Sequence, residues 1–150
     1  MEMKYEEYIG IKLIEATPMT RLSYNDYRGW TMSENENPTD EGYLVRYSDG
    51  YISWSPKKQF EEAYSKVGTN PLVDSALLMK SSDFKDRFKA EYYQLVNRIN
   101  GLSNMLDMYK AETLSFKPNC PYSLLEEQLH VMKQYADILE ERANLENIEL

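Results

Sequence analysis

Few residues in this chain have chemistry to offer, and they are scattered. It holds one histidine, His130, and one cysteine, Cys120. No Ser-His-Asp set assembles around a single imidazole, and neither a nucleophile elbow nor a phosphate-cradling glycine loop is present. His130 follows Leu129 beside an apolar stripe and reads as a packed or surface residue rather than a catalyst. Cys120 stands in Pro118-Asn119-Cys120-Pro121, with no basic neighbour to hold a thiolate, so it reads as an inert free thiol. Alone, it excludes an intrachain disulfide and any multi-cysteine metal site. The carboxylate pairs Glu6-Glu7, Glu61-Glu62, Glu126-Glu127 and Glu140-Glu141 read as solvated surface, not as buried acid–base couples. No catalytic residue, metal ligand or cofactor is expected, and the reading is of a protein that is not an enzyme.

What remains is binding chemistry. Arginines are scarce in the second half: Arg87, Arg98 and Arg142. Arg87 lies one helical turn from Phe84, so a ring and a guanidinium share a face. That pair suits a nucleotide, with the ring on a base and the cation on a phosphate. Arg98 stands three turns further along. The plainer alternative is intrahelical pairing of Arg87 with Asp83 or Glu91, and residue chemistry alone favours it. Thirteen tyrosines, Trp30 and Trp54 are a second unusual feature, concentrated before residue 70. They serve either as the filling and rim of a small core or as a surface for a flat ligand or partner, and the core takes precedence.

The totals narrow the partners. A net charge of −8 over 150 residues argues against sequence-independent binding to DNA or RNA, which needs a basic surface. A small anion needs only two or three well-placed cations in a pocket. No apolar run approaches the ~18 residues of a membrane span, and the start Met1-Glu2-Met3-Lys4 does not read as an export signal. A soluble protein in a reducing cytoplasm is expected. The apolar fraction of 42% suffices for a core.

Positioning these residues requires two different kinds of structure, so the fold class reads as α+β. Residues 1–68 form a small aromatic-rich unit. It has a strand at Tyr8–Ala16, a short helix from Ser23 to Arg28 closed by Gly29, and an acidic loop from Asn35 to Gly42. Tyr43–Tyr47 and Tyr51–Ser55 flank Ser48-Asp49-Gly50, a hairpin signal. Ser55-Pro56 then starts a helix that Gly68 ends. Residues 69–82 read as a linker with a short apolar patch, Leu77-Leu78-Met79. Residues 83–150 read as an all-α antiparallel hairpin that oligomerises. Its first stripe is Phe84, Phe88, Tyr92, Leu95, Ile99, Leu102, Leu106 and Tyr109. The second is Leu125, Leu129, Met132, Ala136, Leu139 and Ala143, after a Ser123–Glu126 capping box. Ala111 to Tyr122 connects them. One stripe per helix buries little, so a partner hairpin is expected.

Two stretches carry a family resemblance. Asp83-Phe84-Lys85-Asp86-Arg87-Phe88-Lys89-Ala90-Glu91, Leu95, Arg98-Ile99 and Leu102 form one. Leu124-Leu125-Glu126-Glu127-Gln128, Met132, Tyr135 and Ile138-Leu139-Glu140-Glu141-Arg142 form the other. Together, over roughly residues 80 to 145, they resemble the phage anti-CBASS sponge family. The resemblance implies helical protomers assembled as hexamers, acting in the cytoplasm of an infected bacterial host. Such proteins hold cyclic dinucleotides, and in several cases cyclic trinucleotides, without cleaving them. It further implies that Phe84 stands at or beside a base-stacking position and Arg98 near a pocket lysine. Arg142 would serve a separate trinucleotide pocket. The first half, through Glu41-Gly42-Tyr43-Leu44-Val45, Asp49 to Lys57 and Phe60 to Tyr64, resembles a small phage domain found beside other sponge-like modules.

Overall fold

The structure, a computed structural model, describes residues 5–150; the start Met1-Glu2-Met3-Lys4, read above as no export signal, lies outside them. The chain divides into two compact units, with the boundary between Lys66 and Val67. It combines a small antiparallel sheet with helices, the longest of them C-terminal.

The first unit is built on β1 (Glu15–Pro18), β2 (Gly42–Arg46) and β3 (Ile52–Pro56), an antiparallel sheet in the order β1-β2-β3. The β2–β3 hairpin pairs Leu44 with Trp54 and Arg46 with Ile52. Its turn is the expected Ser48-Asp49-Gly50. Gly50 takes φ +85 and its N–H donates to the Tyr47 carbonyl at 2.9 Å, a conformation that disfavours any side chain. Gly42 is required for a different reason: a Cβ there would stand 2.4 Å from the Trp54 ring and from the Ser55 carbonyl.

The first strand differs from expectation. Only Glu15–Pro18 pairs with β2, while Tyr8, Ile9 and Leu13 are exposed. Gly10 interrupts the run and supplies no side chain to pack. Helix α1 (Arg21–Arg28) starts two residues before Ser23, because Thr20 is its cap: the Thr20 Oγ1 accepts the Ser23 N–H at 3.2 Å. Gly29 closes it as anticipated. Helix α2 (Lys57–Ala63) follows Pro56 without a side-chain cap, and ends well before Gly68, because Tyr64 is extended and lays its ring on Phe60 at 5.1 Å.

The second unit has three helices: α3 (Pro71–Met79), α4 (Phe84–Lys110) and α5 (Tyr122–Glu146). Helix α3 occupies the stretch read as a linker. The Asn70 side chain accepts the Leu72 N–H, Pro71 sits at the first turn, and the helix packs on α4. Small residues permit that approach. Ser75 is buried and bonded to Gln94 at 2.8 Å, and Ala90 is fully buried.

Helices α4 and α5 run antiparallel. Phe88, Leu139, Ala143 and Ile148 form the core between them, with Tyr92 and Leu95 packed against it. Burying Phe88 and Leu139 contributes about 1.5–3 kcal/mol each, more than exposed ion pairs supply. Phe88, Ile99 and Leu106 of the first expected stripe and Ala136, Leu139 and Ala143 of the second are buried, whereas Phe84 and Tyr109 at the ends of α4 remain 51% and 40% exposed. The capping box does not form. Helix α5 begins at Tyr122 behind Pro121, and Glu126 instead accepts the Tyr122 hydroxyl at 2.7 Å and pairs with Lys110. At the far end Asn147 takes a left-handed conformation, and Ile148 folds back into the core with its N–H on the Ala143 carbonyl.

Candidate ligand-binding site

Phe84 opens α4, where Asp83 caps the helix by accepting the Lys85 N–H at 2.9 Å. Its ring is half exposed because the core begins one turn later, at Phe88. Arg87 does not pair with Asp83 or Glu91. Asp83 is engaged as the cap, and Glu91 accepts the Tyr135 hydroxyl from α5. The Arg87 Nη1 instead reaches back to donate to the Ser81 carbonyl at 2.7 Å, while the Ser81 hydroxyl donates to Asp86. The guanidinium is thus held by a neutral carbonyl, and no carboxylate among the described residues forms an ion pair with it. Phe84 and Arg87 share the first turns of α4, as their spacing requires.

Arg98 is exposed, and no hydrogen bond, ion pair or ring contact engages it among the described residues. It lies on nearly the same side of α4 as Phe84. At about 1.5 Å rise per residue, the two are roughly 21 Å apart along the axis. One protomer therefore does not bring Phe84 and Arg98 onto a single base-and-phosphate unit.

Arg142 is engaged differently. It pairs with Glu146 at 2.9 Å and stacks over the Phe88 ring at 4.9 Å, close to the Phe84 end of α4. Two hydroxyl–carboxylate bonds fasten the helices behind these residues: Tyr92 to Glu140 at 2.6 Å, and Tyr135 to Glu91. The bond to Glu140 raises the Tyr92 hydroxyl to about 12, with burial adding to the effect. Lys85 completes the arrangement by donating to the Asn147 carbonyl at the end of α5. These fastening residues carry no sequence signal, because their partners stand far apart in the chain.

The aromatic-rich unit is arranged the other way. Arg21 pairs with Glu36 and lies over the Trp54 ring at 5.1 Å, and Arg28 lies over Trp30 at 4.4 Å. Ser33, Arg21 and Asn25 all bond to Glu36 and pull its carboxyl down to about 2. Tyr43, Phe60 and Tyr64 stack in sequence. Tyr24 is buried, Tyr43, Tyr47, Trp54, Phe60 and Tyr64 are half-buried, and Tyr5, Tyr8, Tyr27, Trp30 and Tyr51 are exposed, so these rings divide between the core, its rim and the surface. His130 and Cys120 are both exposed. No helix among the described residues is long and apolar enough to cross a membrane.

Comparison with known proteins adds one finding. Residues 82–145, which run from just before α4 almost to the end of α5, match the model of the Sequestin family. No curated protein and no solved structure matches the chain.

Proposed function

We propose that this protein is a signal sponge: it binds cyclic di- and trinucleotide immune signals and holds them intact, as a phage anti-defence factor in the cytoplasm of the infected host. The observation that carries the reading is the state of the cations on α4. Arg98 is exposed without a hydrogen-bond, ion-pair or ring partner among the described residues, and Arg87 is held by a carbonyl with Phe84 beside it. A guanidinium left without a carboxylate in a chain of net charge −8 is a ready contact for a phosphate. These residues lie in the segment that matches a family whose name denotes sequestration. The ~21 Å between Phe84 and Arg98 favours pockets formed between protomers, each protomer giving one end of α4. A homo-oligomer, hexameric by the resemblance, is part of the proposal, and no catalytic step is.

Residue substitutions with calorimetric titration test the assignment. Losing a stacked ring typically costs ~1–3 kcal/mol per base, so Phe84→Ala weakens dinucleotide binding by about ten- to a hundredfold. Arg98→Ala has a comparable effect. Arg142→Ala leaves dinucleotide affinity nearly unchanged and impairs a cyclic trinucleotide. If all three fold and bind like the parent, the residue assignment fails.

A further inference from the structure

The middle of α4 is written in residues that do not favour a helix. Asn97, Asn100, Gly101 and Asn104 stand close together there, and glycine is the poorest helix former after proline. A glycine is accounted for where its φ is positive, or where a neighbour leaves no room for a side chain. Neither holds at Gly101. Its φ is not positive, and a Cβ built on it meets nothing within 4 Å among the described residues. At Gly42, by contrast, a Cβ would strike the Trp54 ring. The fold of the chain would therefore accept alanine at 101, and the helix would gain by it.

The surroundings of Gly101 show what open backbone can serve there. Of its neighbours one turn away on either side, Asn97, Arg98 and Asn104 are polar, and Met105 is the apolar exception. No hydrogen bond, ion pair or ring contact engages the three polar side chains among the described residues. A close crossing by a second helix is one use of a helical glycine, but the core of a protein contact is depleted of charge. Two unbonded amides and an unpaired guanidinium suit another use. Amides read the edge of a base, and a guanidinium holds a phosphate.

We propose that Gly101 is the seat of a nucleobase of the bound ligand. The base lies against bare helix backbone, with its edge on the Asn97 and Asn104 amides and its phosphate on Arg98. The proposal rests on the sponge reading and adds to it the residues that meet the base at the Arg98 end of the site.

Alanine at 101 tests this because it separates stability from binding. In the full chain, Gly101→Ala should raise the dichroism midpoint of the helical unit by about 4–8 °C. Its mass by light scattering should equal that of the parent. Calorimetry against a panel of cyclic di- and trinucleotides should show binding weakened about tenfold, because the added methyl holds the base off the helix. Gly101→Leu, with a bulkier side chain, should weaken it on the order of a hundredfold. Asn97→Ala and Asn104→Ala should each cost about tenfold without a change in midpoint. A Gly101→Ala chain that binds like the parent overturns the proposal and leaves the sponge reading standing. One that melts earlier, or loses its assembly, overturns it too, since the glycine then serves packing. A parent that binds no member of the panel overturns both.

Discussion

The two units hold similar side chains in opposite states. Before Lys66, arginines and aromatic rings are engaged with one another: Arg21 with Glu36 and Trp54, Arg28 with Trp30 and Tyr24. After Val67, Arg98 has no hydrogen-bond, ion-pair or ring partner among the described residues. The first unit holds both tryptophans and most of the tyrosines, which composition reads as core before ligand surface. The structure teaches that residue type is a weaker guide than residue state. An unpaired guanidinium on a rigid helix has all of its donors to offer a phosphate.

That contrast can be broken by core truncation, the largest expected effect. Leu139 is almost fully buried, so Leu139→Ala should destabilise the helical unit by about 2–5 kcal/mol. Both tryptophans lie in the first unit, so their fluorescence reports on it separately. Far-UV dichroism should show a lowered transition while tryptophan fluorescence keeps its own midpoint. A shared drop in both signals would mean that the units unfold together.

A smaller effect sharpens the first side of the contrast. Arg21→Ala removes the guanidinium from both Glu36 and the Trp54 ring, and should lower the fluorescence midpoint. Arg98→Ala, which removes no hydrogen bond, ion pair or ring contact among the described residues, should leave thermal stability unchanged. An equal loss in both variants would erase the distinction between engaged and free arginines.

Two pH limbs are smaller still. Tyr92 titrates at about 12 in the folded chain against an ordinary value of 10, raised mainly by its bond to Glu140. That contribution is complete below pH 10 and is lost as pH rises toward 12. Tyr92→Phe should flatten this alkaline limb in the helical signal. Glu36, lowered from 4.5 to about 2, behaves inversely: its contribution is present above pH 4.5 and is lost as pH falls toward 2. Glu36→Gln should flatten the acid limb of the fluorescence signal. An unchanged limb in either variant contradicts the assignment.

Legibility in the sequence followed the locality of the cause. The Asp49-Gly50 turn and the long helical periods are local patterns, and the structure carries them. The Ser123–Glu126 box was misleading because Pro121 and Tyr122 begin the helix earlier and Glu126 has nearer partners. Tyr8–Ala16 had strand composition, but only Glu15 and Ala16 of it entered the sheet, with Thr17 and Pro18, because pairing with β2 is a long-range event. Among the site residues, Phe84 and Arg87 were placed by helical spacing alone. That Arg87 bonds to Ser81, and that Arg142 stacks on Phe88, depends on contacts that spacing does not encode.

The central claim is that the chain holds a cyclic nucleotide without altering it. The direct measurement is calorimetric titration of the full chain with a panel of cyclic di- and trinucleotides. Heat release and chromatography of the recovered ligand complete it. The sponge account predicts saturable binding of at least one member of the panel and recovery of that ligand unchanged. A folded chain that binds none of them, or returns a cleaved product, contradicts it.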